Sequence, residues 1–98
     1  MTISGVSHYR GGTIDQVLPL AKALKSIYRK YGVGYRISQV QDGPNKDDWF
    51  VIVTYADTAA FEKAQALFAQ DSEMQQLFID ISNVAKRFSR EMVRNFDV

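Results

Sequence analysis

Trp49-Phe50-Val51-Ile52-Val53-Thr54-Tyr55 is the stretch on which the fold of this chain turns. Each of its seven residues is β-branched or aromatic, the composition that packs well on a pleated surface. A strand with one wet face alternates apolar with polar residues. This one does not. Trp49, Val51, Val53 and Tyr55 fall on one side, and Phe50, Ile52 and Thr54 on the other. Both sides call for cover.

Working outward, Asp42 to Asp48 is rich in turn formers, and Val33 to Gln41 before it reads as a strand, so the pair makes a hairpin. Gly32 is placed to stop a helix. That helix opens at Thr13-Ile14-Asp15-Gln16, where Thr and Gln at capping-box spacing can each satisfy a free amide. Ile14, Val17, Leu18, Ala21, Leu24, Ile27, Tyr28 and Tyr31 then recur at gaps that place them on one face. Pro19 lies inside it and predicts a kink or a later start. Ile3 to Arg10 is strand-like and stops at Gly11-Gly12.

Downstream, Asp57 or Thr58 caps a second helix with Phe61, Ala64, Leu67 and Phe68 inward. The pattern resets at Asp71-Ser72, where Ser72 to Gln75 has capping-box spacing. A third amphipathic stretch runs from Met74 to Phe88. Arg90 to Val98 alternates and predicts the last strand. The order β-α-β-β-α(α)-β is the split βαβ of ferredoxin-like α+β folds, with a four-stranded antiparallel sheet and helices on one face. One domain, 1–98, is expected. Nothing is left over to cover the other face of the sheet, and a second copy packed sheet on sheet is the expected cover.

Composition narrows the function classes. There is no Cys and a single His among 98 residues, so disulfides, thiolate zinc sites and multi-histidine metal sites within one chain are excluded. Twelve Lys and Arg against 11 Asp and Glu give a net charge of +1, without the basic excess of a nucleic-acid binder. RNA-recognition modules share the element order, but their third strand sets aromatics in a basic, Gly-containing motif that Trp49–Val53 lacks. No apolar run is long enough to span a bilayer. The opening MTISGVSHYR lacks the basic and apolar regions of a secretion signal, so a cytoplasmic protein is expected.

With these elements in place, the whole chain resembles the dimeric α+β-barrel superfamily, which includes antibiotic-biosynthesis-monooxygenase-like, NIPSNAP-like and EthD-like domains. The features that carry the resemblance are the first strand ending in Tyr9-Arg10-Gly11-Gly12, the strand Trp49–Tyr55 running into Ala56-Asp57 and a helix, and the reset at Gln70-Asp71-Ser72-Glu73. The resemblance implies a homodimeric barrel with a small cavity for an apolar or aromatic metabolite. It also implies a cofactor-independent oxygenase, cyclase or isomerase as the leading activity. The alternative is a non-catalytic ligand-binding or dimerisation module. The haem-degrading members carry a His on the helix after the third strand. None lies between Asp57 and Arg87, so haem is not expected, and no other cofactor is implied.

Six residues are candidates for the site. His8 is the sole imidazole, the group suited to proton transfer at neutral pH, or else simply a hydrogen-bonded strand residue. Tyr35, Trp49 and Tyr55 can wall a planar ligand, or pack the core. Arg36 and Arg94, like Arg90, lie on strands, where a buried guanidinium needs an anion or a partner such as Glu91 or Asp97 of a second copy. Arg94 is the preferred group for stabilising negative charge. Arg10-Gly11-Gly12-Thr13 offers amides at a helix start but lacks the spacing of a phosphate loop or dinucleotide fingerprint, so a tight strand-to-helix turn is the preferred reading.

Overall fold

A computed structural model describes residues 1–98. The elements run β1 (Ile3–Arg10), α1 (Ile14–Lys30), β2 (Gly34–Gln39), β3 (Trp49–Tyr55), α2 (Thr58–Ala69), α3 (Ser72–Ser82) and β4 (Lys86–Arg94). The sheet is four-stranded and antiparallel throughout, in the order β2-β3-β1-β4. This is the ferredoxin-like α+β arrangement. The expected strand at 33–41 shortens to Gly34–Gln39, because Val40 leaves the β3 ladder to bond Asp47 and Asp48 in the connecting loop.

Local chemistry explains most boundaries. Thr13 accepts from the Gln16 amide while the Gln16 side chain returns to the Thr13 amide, so α1 starts at Ile14. Pro19 therefore sits inside α1 rather than at its first turn. Gly11 and Gly12 form the β1–α1 turn with φ of +101° and +78°, values that favour glycine. At α3 the cap is Asp71, not Ser72: its carboxylate accepts from the Met74 amide at 2.9 Å. Gln75 turns away to donate to the Phe68 carbonyl, so the expected box does not form.

The third amphipathic stretch also ends earlier than its periodicity suggests. Helix α3 stops at Ser82, Asn83 caps it, and Ala85 bonds back to Ile81. Phe88 belongs to β4, which runs from Lys86 to Arg94 rather than from Arg90 to Val98. Pairing with β1 decides the matter, since the ladder from Arg10–Lys86 to Ile3–Arg94 satisfies backbone groups that a longer helix would leave on a bare sheet edge. Phe88 is the extra residue in a bulge: His8 pairs Ser89 and Tyr9 pairs Arg87.

The core lies between the helices and one sheet face. Leu24, Ile27 and Tyr28 of α1 meet Val53 and Tyr55 of β3 and Phe68 of α2. Met74 of α3, fully enclosed, closes the cluster. Leu67 and Ile14, expected inward, are 42% and 52% exposed and lie off this stripe.

Candidate functional site

The pairing register assigns each strand residue to a face. Gly5, Ser7 and Tyr9 of β1 sit beside Val53, Val51 and Trp49 of β3 on the helix side. Ser4, Val6 and His8 sit beside Thr54, Ile52 and Phe50 on the free side. The helix-side residues of β1 are small at Gly5 and Ser7, and the helices do not fill the space above them. A cavity of about 300 Å3 remains there.

Aromatic rings wall this cavity. Tyr28 of α1 stacks on Tyr35 of β2, with centroids 5.4 Å apart and planes 19° apart. Trp49 closes one end, its indole N–H donating to the Gly11 carbonyl at 3.1 Å. Tyr55 accepts from Gln65 at 3.4 Å. Burial pushes the Tyr28 and Tyr35 hydroxyls well above the ordinary tyrosine range, and burial also raises Tyr55. These phenols are therefore protonated donors at neutral pH. Arg87 and Arg90 of β4 complete the lining, which includes no Asp, Glu, His or Lys. Such a space can enclose a flat apolar molecule, orient it through hydroxyls and stabilise negative charge on it.

A second polar group lies behind the sheet. His8 Nε2 is 2.8 Å from Asp48 Oδ2, and Arg10 holds the same carboxylate through Nε and Nη2, each at 3.0 Å. The Arg10 contact, aided by His8, holds the Asp48 carboxyl below its usual range. The imidazole lies between Phe50 and Phe88, with ring centroids at 4.3 and 3.9 Å, and Arg10 extends over Phe88. His8 and Asp48 are both buried.

The six candidates thus divide. Tyr35, Trp49 and Tyr55 share the cavity. His8 and Arg36 occupy the opposite face of the sheet, and the sheet itself separates them from the cavity. Arg94, exposed at the end of β4, has the cavity's parity but does not reach its lining. Arg90 does, four residues earlier on the same strand. In the sequence it was legible only as one of three arginines on predicted strands, with no sign of which face each takes. Asp48 and Gly5 carried no signal, since one reads as a loop residue and the other as a gap in a strand. No group of three His, Cys, Asp or Glu side chains converges to hold a metal.

The fold is that of an α+β protein with a ferredoxin-like sheet and a cavity under its helices. No family model and no curated protein sequence matches the chain. Among solved structures it is similar to a conserved protein of unknown function from Bacteroides thetaiotaomicron VPI-5482, described as a possible oxidoreductase. The TM-score is 0.69 at 16% identity, over 94% of this chain and 95% of that one. This likeness extends to the fold alone. No helix is long and apolar enough to cross a membrane.

Proposed function

We propose that this protein is a member of the dimeric α+β-barrel superfamily that binds a small apolar or aromatic metabolite between helices and sheet. The observation that carries this reading is the cavity of about 300 Å3 walled by Tyr28, Tyr35, Trp49 and Tyr55. A solid interior would have matched a purely structural module. The chemistry available is positioning of a planar substrate and stabilisation of developing negative charge, as a cofactor-independent oxygenase, cyclase or isomerase requires. The possible oxidoreductase description of the similar structure agrees with the oxygenase branch. A non-catalytic binding module is the second reading, favoured by the lack of any carboxylate or imidazole in the lining.

The working unit in this proposal is a homodimer joined through the free sheet face, where Val6, Phe50, Ile52 and Val93 are half-buried. The register supports it. Arg36 pairs Ile52, Ile52 pairs Val6 and Val6 pairs Glu91, so one row across the sheet reads positive, apolar, apolar, negative. Three strand spacings, about 14 Å, separate the two charges, too far for a pair within the chain. A second copy turned about an axis parallel to the strands sets Arg36 against Glu91 twice and apolar against apolar between. His8 then serves the interface rather than the ligand.

Trp49 is the only tryptophan and lines the cavity, so its fluorescence reports occupancy. Titration with the neutral probe N-phenyl-1-naphthylamine should change Trp49 emission saturably. Ser7→Phe, which fills the floor, should abolish the change while keeping the fold. Equal binding by this variant, or none by the wild type, would overturn the cavity reading.

A further inference from the structure

We infer that the cavity selects a planar aromatic carboxylate, with Arg90 as the residue that holds its acid group; this inference rests on the binding role proposed above. Arg90 pairs with Ser7 of β1 and so stands on the helix side of the sheet. Its side chain lies across β1 over Gly5: the position a Cβ would take there is 3.9 Å from both Nε and Nη2 and 3.4 Å from the Met92 sulfur, ordinary contact distances. The guanidinium thus rests on the small-residue floor of the cavity.

Arg90 is unpaired. The three ion pairs of the protein join His8 and Arg10 to Asp48 and Lys30 to Asp71, and none involves Arg90 or Arg87. The polar contact Arg90 does make is with the Met92 thioether at 3.8 Å, a weak acceptor for a group with five N–H donors. Its charge reaches the Tyr28 and Tyr55 hydroxyls, where it opposes the effect of burial. A planar fork of donors at the rim of an apolar, carboxylate-free space matches a carboxylate geometrically, two parallel N–H···O contacts at once. Stacked Tyr28 and Tyr35 fit the ring system behind it. Two arginines with no acidic neighbour in the lining also make the cavity attractive to an anion before contact.

The test compares 1-naphthoate with 1-naphthalenemethanol, a neutral analogue of the same shape, by Trp49 fluorescence and calorimetry. The wild type should bind the acid at least about tenfold more tightly. Arg90→Gln should lose about ten- to a hundredfold in affinity for the acid and leave the alcohol unchanged. Wild-type binding of the alcohol as tight as the acid, or an Arg90→Gln variant that keeps the preference, overturns this inference and leaves the binding role standing. Failure of both compounds to bind overturns both. The wild-type comparison decides the point even if the variant does not fold.

Discussion

His8 and Asp48 meet at 2.8 Å although 40 residues separate them, joining the first strand to the residue just before the third. The contact stands behind the sheet, flanked by Phe50 and Phe88, with Arg10 completing the carboxylate's partners. Asp48→Asn keeps the shape and removes the charge. It should lower Tm by about 5 °C or more, because the buried imidazole and the guanidinium both lose their anion. Arg10→Gln should cost less, as Arg10 is mostly exposed and the His8 contact survives. Thermal unfolding followed by circular dichroism checks both, and a wild-type Tm for Asp48→Asn would show the cluster to be incidental.

Asp71 supplies the acid limb of stability. It caps α3, accepts from the Tyr31 hydroxyl at 2.6 Å and pairs with Lys30 at 3.4 Å. The Tyr31 hydrogen bond first, then the Met74 amide, pull its carboxyl from 3.8 to about 2. A depressed folded value means the stabilisation is complete above the unfolded pKa and disappears as pH falls through the folded one. The Tm gap between wild type and Asp71→Asn should therefore be full at pH 7, begin to shrink near pH 4 and be largely gone at pH 2. A gap that is constant with pH would assign the effect to geometry rather than charge.

The β1–α1 turn admits no side chain at Gly12. An added Cβ would lie 2.7 Å from the Val17 side chain and 3.2 Å from the Val84 carbonyl, at a φ of +78°. Gly12→Ala should destabilise by about 1–2 kcal/mol from the backbone alone, and more from the contact. Gly43, also at positive φ but with nothing within 4 Å, should lose only the backbone part on the same change. Equal losses by denaturant unfolding would contradict the crowding.

The charged row gives the proposed dimer a double test. Arg36→Glu or Glu91→Lys alone places like charges opposite one another at two symmetric points. Each should weaken the dimer about tenfold by sedimentation. Combining them restores opposite signs and should recover the assembly. A double variant weaker than either single one would exclude this orientation of the two copies.

Much of the fold was legible because strong local signals agreed. The capping box at Thr13, the uniformly β-prone Trp49–Tyr55 and the turn-rich Asp42–Asp48 each specify an element with little competition. The α3–β4 boundary was not legible. Val84, Ala85 and Phe88 continue the spacing of Met74 and Ile81, so a helical period persists into residues that the β1 ladder claims for a strand. The site was half legible. Aromatic residues on β2 and β3 mark its walls, but its floor is Gly5 and Ser7, and an empty volume has no residue to announce it. His8 shares its parity with Val6 and Arg10, one apolar and one charged, so its face was settled only by the register with Phe50.

The sheet is one residue thick, and consecutive positions on β1 serve different neighbours: Ser7 the cavity, His8 the free face. Two copies joined through that free face would turn their helices, and with them their cavities, outward on opposite sides of a double sheet. The two ligands would share neither a wall nor a volume of solvent. Such an assembly binds with a stoichiometry of two and a Hill slope near one, and each half keeps its own entrance.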